Sequence, residues 1–575
     1  MEITFFGAAR HVTGSCTMVR CAGTTILIDC GLPQGSDEKD SGMDFPFSPA
    51  QIDYVLLTHA HIDHSGRMPL LNKEGFRGTI YCTAATVDLC SIMLADSGHI
   101  QEMEAEWKSR KQVRAGKRPV EPLYTVDDAT RSMDLFVGCD YDKVLDVAPG
   151  VRARFVDAGH LLGSSSIEVW LEEGGEKKKL VFSGDIGNFD QPIVRDPAYL
   201  ESADFVVMES TYGNRLHAKP EGAPEGSHNV PTEVRAKELA EIIRTTFARG
   251  GNVIIPSFAV GRTQEILYLI RTIIAHRLIP EFKDIPVFVD SPLSVKATNV
   301  FAGNVEGYYD DEAMELVRQG VNPILFPSLV TITDAEDSKA LNFRKEPAVI
   351  ISSSGMCEAG RIKHHLKHNL WRPECTIVFT GYQAGGTLGR SILDGARHVT
   401  IFGEQIDVRA EIRKLEGISG HADQDGLVRW LAAFKKKPEE VFIVHGEAEV
   451  ATWFAGFIGK QLAVNAYAPS PMESFNLLGE VLPAAEPVPF TSAQTKVVQE
   501  AFALLEKGRA DLDSVVKRME DAAARLDSAA DAHKVARLAN AITRLASDLD
   551  FLGIKWGRDA DDEISDLREN GKSVS

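Results

Sequence analysis

The chain has 575 residues, of which 44% are hydrophobic and 25% are charged, and its formal net charge is -20. This composition is typical of a globular protein with several domains, and it contains no run of about 18 apolar residues that could span a membrane. The excess of 82 acidic over 62 basic side chains argues against non-specific binding of nucleic acid.

The N-terminal sequence MEITFFGAARHVTGS lacks the basic start and the apolar block of a secretory signal, and we expect a first β-strand there. The eight cysteines form no CxxC pair. This spacing favours reduced thiols in a cytoplasmic protein over disulfides or a zinc knuckle. The sequence contains no phosphate-binding P-loop, so we expect no nucleotide cofactor.

Up to about residue 208, short β-rich runs alternate with turns and helical stretches. This alternation predicts a layered α/β domain. Between 209 and 397 the repeating units are larger, and the apolar run 251–256 leads into a helix from Thr263. We expect a parallel sheet in this region, with the carboxyl ends of its strands facing a common cleft.

Short strands at 401–419 and 441–444 resume the pattern of the first domain. The sequence therefore predicts an α/β protein in which one domain is interrupted by an inserted domain and followed by a helical C-terminal extension. The predicted ranges are 1–208 with 398–475 for the first domain, 209–397 for the insertion and 476–575 for the extension.

The C-terminal extension follows a cluster of prolines at 471–489, and its apolar side chains recur at helical spacing. This spacing predicts two or three amphipathic helices that need a partner surface. We expect these helices to dock a partner or to form a homodimer or another homo-oligomer. The alternative is a helical cap on the chain's own catalytic core.

The stretch Thr58-His59-Ala60-His61-Ile62-Asp63-His64 directly follows the apolar run 55–57. Four potential ligands within six residues at a strand end can converge on one point. Imidazole and carboxylate groups together suit zinc or a similar divalent ion, and their number is enough for parts of two sites. Further donors are expected at other strand ends, where His160 and Asp185 stand. The alternative, a solvated loop that is rich in histidine, does not account for these later donors.

The ordered signature formed by Asp29, the HxHxDH motif, His160, Asp185 and His445 resembles that of the metallo-β-lactamase superfamily. The resemblance implies an αββα sandwich with a dinuclear site that holds two Zn²⁺ ions, or manganese instead. It also implies that Asp29 orients the site from outside the ligand set. The implied ligands are His59, His61, His160 and Asp185 for one ion, and Asp63, His64, Asp185 and His445 for the other.

About 260 residues separate Asp185 from His445, which is room for a whole extra domain. This insertion resembles the β-CASP domain of nucleic-acid-processing enzymes. Glu209 in Met-Glu-Ser-Thr-Tyr-Gly matches motif A, and His421 in Ser-Gly-His-Ala-Asp matches motif B. The similarity covers about residues 1–470 and is greatest to bacterial and archaeal relatives of the endonuclease subunit of the cleavage and polyadenylation factor.

The resemblance implies metal-dependent hydrolysis of RNA phosphodiester bonds by an endoribonuclease, to which similar ribonucleases add 5′ exonuclease activity. A histidine at motif C, here His445, resembles the RNA-processing branch, so we expect single-stranded RNA as the substrate. The expected catalytic residues are Asp63 at the metals, His421 as general acid for the leaving ribose oxygen and Glu209 as the group that tunes His421. The alternatives are a β-CASP DNA nuclease and a non-catalytic RNA-binding scaffold.

Two basic segments, 108–118 and 361–368, could contact the RNA backbone and make binding sensitive to salt. The alternative for each segment is a solvated helix face. We expect substrate contacts from side chains in or near the inserted domain, namely Arg262, Ser354, Arg361 and Lys363.

Overall fold

The secondary structure is given for the residues that the computed structural model describes, which are 1–35, 37, 44–114, 118–217, 229–282 and 284–479. In chain order the strands are β1 (Glu2–Gly7), β2 (Cys16–Cys21), β3 (Thr24–Ile28), β4 (Tyr54–Leu56), β5 (Thr79–Thr83), β6 (Phe136–Cys139), β7 (Val144–Ala148), β8 (Val151–Asp157), β9 (Ser165–Glu173), β10 (Glu176–Phe182), β11 (Phe205–Glu209), β12 (Val253–Pro256), β13 (Val287–Asp290), β14 (Leu329–Ile332), β15 (Val349–Ser352), β16 (Thr376–Phe379), β17 (His398–Ile401), β18 (Glu404–Asp407), β19 (Glu411–Lys414), β20 (Glu440–Val444), β21 (Ala466–Tyr467) and β22 (Ser474–Asn476).

The helices lie between these strands. They are α1 (Ile62–Ser65), α2 (Met68–Lys73), α3 (Ala84–Arg114), α4 (Val126–Ser132), α5 (Thr232–Ala248), α6 (Arg262–Ala275), α7 (Pro292–Gly303), α8 (Asp311–Arg318), α9 (Ala335–Leu341), α10 (Ile362–Asn369), α11 (Leu388–Leu393), α12 (Gln424–Ala432) and α13 (Ala448–Leu462). The helices that the sequence predicts after residue 489 fall outside the described residues, as does the surface on which the oligomer prediction depends.

Two mixed seven-stranded sheets form the first domain. The strand order is β22-β1-β2-β3-β4-β5-β6 in the first sheet and β21-β20-β11-β10-β9-β8-β7 in the second. The inner faces of the two sheets share one buried cluster, in which Phe5 and Ile26 of the first sheet meet Phe155, Leu180 and Phe442 of the second. The rings of Phe5 and Phe442 lie 5.1 Å apart between centroids.

Helices cover the outer faces of this sandwich. On the first sheet, Val55 and Ile80 are buried in the same cluster as Leu89 of α3. On the second, Val181 is buried with Trp430 of α12 and Phe454 of α13. The layers are therefore helix, sheet, sheet and helix, and this arrangement confirms the predicted αββα sandwich.

The inserted domain is built on a six-stranded sheet of order β14-β13-β15-β12-β16-β19, in which every pair is parallel. Its central strands β12 and β15 are buried along their whole length, as strands covered by helices on both faces must be. Helices α5, α6 and α7 pack on one face and α10 and α11 on the other. The parallel sheet is therefore confirmed, and the helix predicted from Thr263 begins at Arg262.

The inserted sheet extends further along the sequence than the predicted limit at residue 397. Strand β19 pairs in parallel with β16, with Ile412 opposite Ile377, whereas the sequence interpretation placed the strands of 401–419 in the first domain. The hairpin of β17 and β18 brings the chain back to the sheet edge. A short edge strand with the sequence Glu-Ile-Arg-Lys carries no pattern that identifies the sheet it joins.

The strand order places the site. Strands β10, β11 and β20 are parallel neighbours, so their carboxyl ends meet at one edge of the second sheet. Asp185 follows β10, Glu209 ends β11 and His445 follows β20. Strand β4 of the facing sheet ends at Leu56, directly before the segment 58–64.

All eight cysteines lie within the described residues as free thiols. Among the described helices, none combines the length and the apolar character that crossing a bilayer requires.

Candidate metal centre

The histidine-rich segment after β4 is held in the interior of the protein. His59 is fully buried and His64 is almost so. His61 lies at the start of α1, and Asp63 and His64 lie within that helix. The turn from strand to helix therefore points four potential ligands toward the edge where β10, β11 and β20 end.

The first group of ligands comprises His59, His61, His160 and Asp185, whose ligand atoms all lie within 4.8 Å of one another. His61 Nδ1 lies 3.1 Å from both His59 Nε2 and His160 Nε2. Asp185 Oδ2 lies 3.4 Å from His59 Nε2 and 3.6 Å from His160 Nε2. Zinc bonds of about 2.0–2.1 Å in a tetrahedron separate the ligand atoms by about 3.3 Å, so these spacings fit one such ion.

The second group comprises Asp63, His64 and His445, together with the other oxygen of Asp185. His445 Nε2 lies 3.0 Å from His64 Nε2 and 3.5 Å from Asp63 Oδ2. Asp185 Oδ1 lies 3.3 Å from His64 Nε2 and 3.6 Å from His445 Nε2. The two carboxylate oxygens of Asp185 thus face two different ligand groups.

Asp185 Oδ1 also tests whether these residues fit a metal. The atom is buried, and it forms no hydrogen bond with any group in the described part of the chain, although His64 Nε2 is only 3.3 Å away. A buried carboxylate oxygen that lacks a partner is costly. A divalent cation between Asp185, His64 and His445 would satisfy this oxygen, so the donor set fits two cations that share one carboxylate.

The protonation of the first group also suits metal binding. Burial is the main cause that lowers the pKa of His61, to about 3. Burial likewise lowers the pKa values of His59 and His160, with a contribution from neighbouring histidines. These three rings are therefore neutral near pH 7, which is the form that binds a metal.

Asp29 fixes the orientation of His64 from outside the ligand set. Its Oδ2 lies 2.7 Å from His64 Nδ1, and its Oδ1 accepts the backbone N–H of Thr58 at 2.8 Å. A proton on Nδ1 leaves Nε2 of His64 free to bind the ion. The role that the resemblance implied for Asp29 agrees with these contacts.

Two more outer partners were not predicted from the sequence. The carbonyl oxygen of Gly420 accepts a hydrogen bond from His160 Nδ1 at 2.9 Å, and the Thr211 hydroxyl lies 3.0 Å from His445 Nδ1. Gly420 acts through its backbone, so no side-chain pattern could reveal it. Thr211 lies two residues after Glu209 in the motif Met-Glu-Ser-Thr-Tyr-Gly. Membership of this motif is the sequence feature that points to a role for Thr211 near the site.

His421 and Glu209 form a pair beside the two ligand groups. His421 Nδ1 lies 3.1 and 3.2 Å from the two carboxylate oxygens of Glu209, and His421 Nε2 lies 4.0 Å from Asp185 Oδ2. Burial disfavours the imidazolium, but the opposing charge and hydrogen bond of Glu209 raise the pKa of His421 to about 9. The ring can therefore carry a proton next to the ligands at neutral pH.

The predicted substrate contacts lie in two places. Arg262 pairs with Glu265 at 2.5 Å, and its Nη2 lies 3.4 Å from the position that a Cβ on Gly420 would take, which is beside His421. Arg361 is held by Asp290 at 2.7 Å and by the carbonyl of Thr333 at 2.6 Å. These protein contacts already occupy the guanidinium of Arg361. RNA binding by this side chain stays a prediction.

Ser354 lies in the segment that joins β15 to α10, and Lys363 lies in the first turn of α10. The hydroxyl of Ser354 accepts the N–H of Ala359 at 3.4 Å. The ammonium of Lys363 lies 5.3 Å from the centre of the Phe402 ring. Their contact with RNA also stays a prediction.

The first basic segment lies at the end of α3. Lys108 pairs with Glu104, and Arg110 pairs with Glu106, each one helical turn away. Such exposed pairs favour the solvated helix face for this segment. Residues 115–117, which include Lys117, fall outside the described residues.

Three segments of the chain match known protein families. Residues 9–90 match the metallo-β-lactamase superfamily, residues 263–392 match the Beta-Casp domain, and residues 405–469 match the Zn-dependent metallo-hydrolase RNA specificity domain. The third match begins before β19, so it includes the edge strand of the inserted sheet.

Full-length relatives agree with these matches. A ribonuclease of Thermus thermophilus is 38% identical over 449 residues, which cover 78% of this chain and 94% of the relative. Transcription termination factor FttA of Methanosarcina mazei is 31% identical over 488 residues, which cover 83% and 72%. An RNase J-like protein of Methanocaldococcus jannaschii is 30% identical over 468 residues, which cover 81% and 97%. The chain therefore belongs to the β-CASP ribonucleases, a family of metal-dependent hydrolases with the metallo-β-lactamase fold.

Proposed function

We propose that this protein hydrolyses internal phosphodiester bonds of single-stranded RNA, using two zinc ions that share Asp185. One observation carries the proposal: the two oxygens of Asp185 face two ligand groups whose internal spacings each fit a divalent ion. Manganese is the alternative metal, because carboxylate and imidazole ligands suit it as well.

Two bound divalent ions supply a positively charged platform for a phosphate and lower the pKa of water toward neutrality. The protein's part is to hold seven side chains in the required positions. The outer contacts of Asp29, Gly420 and Thr211 fix the ring orientations of His64, His160 and His445. Since these groups are ordered before the substrate arrives, little reorganisation is needed during the reaction.

His421 serves as the general acid in this proposal. Cleavage leaves a negative charge on a ribose oxygen, and a positioned imidazolium can neutralise that charge by donating its proton from Nε2. His421 turns Nδ1 toward Glu209, which leaves Nε2 directed toward the side of the site where Asp185 lies. Glu209 keeps the proton on the ring, since it raises the pKa of His421 to about 9.

The choice of RNA over DNA depends on the family and on His445. The Thermus thermophilus relative is named a ribonuclease, and residues 405–469 match an RNA specificity domain. A β-CASP DNA nuclease remains the competing hypothesis, and the intact ligand set speaks against a non-catalytic scaffold.

The free thiols of all eight cysteines support a cytoplasmic location, where such thiols persist.

A cleavage assay tests the proposal. The zinc-loaded protein is incubated with circular single-stranded RNA, which offers no ends to an exonuclease, and with circular DNA of the same sequence. We expect the RNA alone to be cut, and we expect a chelator, Asp63→Ala or His421→Ala to abolish the cut. Asp311→Ala and His276→Ala, on exposed side chains of α8 and the end of α6, are the matched controls. Cleavage that survives both chelation and Asp63→Ala would contradict the proposal.

A further inference from the structure

A chain of side-chain contacts leads from His421 into the inserted domain, through one edge-on pair of rings and two cation–ring contacts. The ring of Tyr212 lies 5.8 Å from the ring of His421. The guanidinium of Arg215 lies 5.8 Å from the centre of the Tyr212 ring and 5.0 Å from that of the Tyr382 ring. Tyr212 and Arg215 follow β11 of the first domain, whereas Tyr382 follows β16 of the inserted domain. These contacts therefore connect the general acid with the surface of the second domain.

The last side chain in this series of contacts, Tyr382, is partly exposed. Tyr382 is 43% exposed, although Arg215 lies over its ring. The cation on the ring limits its motion, and the exposed part of the ring remains accessible to a ligand. Arg215 covers part of the ring, and 43% of the residue stays exposed.

A second exposed ring adjoins the same loop. Phe258 is 45% exposed, and its ring lies 2.9 Å from the position that a Cβ on Gly355 would take. The side-chain amide of Gln383, next to Tyr382, donates to the carbonyl of Gly355 at 3.1 Å. Gly355 therefore links the Phe258 ring to Gln383, the residue after Tyr382, and only glycine permits the close approach of the Phe258 ring.

We propose that Tyr382 and Phe258 form a stacking platform for the bases of the RNA strand that is cut at the metal centre. The inference rests on the proposed function and adds a substrate subsite to it. Aromatic rings bind unpaired bases of any sequence through their faces, and a duplex does not present those faces. The platform thus selects single-stranded RNA.

The charge of the protein makes such a platform useful. With a net charge of -20, the chain gains little from general attraction to a polyanion. Stacking does not depend on counterion release, whereas phosphate contacts do. The platform should therefore contribute an affinity that persists at high salt.

Binding measurements with abasic RNA test the platform. In a His421→Ala background, which prevents cleavage, the affinity is measured for a 12-residue RNA and for variants with one abasic position each. We expect Tyr382→Ala to weaken binding of the intact RNA about tenfold at both low and high salt, and Tyr382→Phe to leave it unchanged. The position whose base stacks on Tyr382 should lose affinity when it is abasic, and this loss should vanish in Tyr382→Ala.

The outcomes separate the platform from the proposed function. Tyr199→Ala, which removes another half-exposed tyrosine, is the matched control and should bind RNA like the parent. The platform would be overturned if Tyr382→Ala and the abasic position each weakened binding and their effects were additive. Normal RNA binding by Tyr382→Ala would overturn it as well. A zinc-loaded wild-type protein that neither binds nor cleaves RNA would instead overturn the proposed function.

Discussion

His421 Nδ1 lies within 3.2 Å of both carboxylate oxygens of Glu209, and Glu209 also accepts the backbone N–H of Ile186, the residue after Asp185. One carboxylate thus ties the proton donor to the strand end that carries the shared metal ligand. Glu209 is buried, so its charge acts on His421 with little screening. This relationship gives the general acid both its position and its proton.

Glu209→Gln is expected to narrow the range of pH in which the enzyme works. The substitution keeps an acceptor for the Ile186 N–H but removes the charge that raises the pKa of His421. A lower pKa means that His421 loses its proton earlier as the pH rises, so the alkaline limb of kcat/KM should move to lower pH by about one to three units. The pH profile on single-stranded RNA measures this shift.

The matched control for that profile is Glu449→Gln, which removes an exposed carboxylate from the first turn of α13. Its alkaline limb should coincide with that of the wild type. An unmoved limb in Glu209→Gln would show that another group supplies the proton.

Asp29→Asn is expected to weaken metal binding without unfolding the protein. Asp29 has a positive φ of 61°, which asparagine tolerates well. The amide cannot support the imidazole of His64 as a carboxylate does, and loss of such an outer partner costs about 10- to 100-fold in metal affinity. Competition with a chelator of known affinity measures the change, and excess zinc should restore the RNA cleavage.

Asp185→Asn is expected to remove the dependence of stability on metal. A ligand bound only to the folded state stabilises it by about 2.7 kcal/mol at 100 times its Kd. The Tm of the wild type should therefore fall when a chelator is added. Since both ligand groups share Asp185, the Tm of Asp185→Asn should be the same with and without chelator, and a normal decrease in this variant would argue against the shared carboxylate.

Asp157 should make stability depend on pH in the opposite sense to a paired carboxylate. Burial raises the pKa of Asp157 to about 7, whereas an unfolded aspartate has a pKa of about 3.9. The folded state therefore binds the extra proton between these values, and the stability from this group falls by about 1.4 kcal/mol per pH unit as the pH rises through that window.

Asp157→Asn keeps an acceptor for the N–H of Gly159 and cannot ionise. The variant should gain stability over the wild type at pH 8 but not at pH 4. Urea unfolding at both pH values measures the difference. Equal differences at the two pH values would show that Asp157 is charged in the folded protein at both.

The clustering of the candidate ligands could be predicted because their order along the chain is itself a signal. His59, His61, Asp63 and His64 mark a strand end, and the parallel neighbours β10, β11 and β20 bring the later ligands to the same edge. The contacts of Gly420 and Thr211 could not be predicted. Both residues stand in motifs that the sequence shows, but neither motif reveals which histidine ring the residue contacts, because that pairing arises only from the tertiary arrangement.

Arg361 illustrates another limit of sequence. Its basic segment indicated RNA contact, and a helix does begin at Ile362. The neighbour that pairs with its guanidinium is Asp290, which is 71 residues away in sequence and fully buried. The pairing of β19 with the inserted sheet could not be predicted either. The sheet that a short edge strand joins depends on the path of the chain and not on the composition of the strand.

A zinc titration of the metal-free protein tests the central claim most directly, with the cutting of circular single-stranded RNA as the readout. Asp185 and the six candidate ligands around it predict that cleavage is absent without metal and reaches its full rate at two zinc ions per chain. Full activity in the metal-free protein, or full activity with one zinc ion per chain, would contradict the dinuclear site.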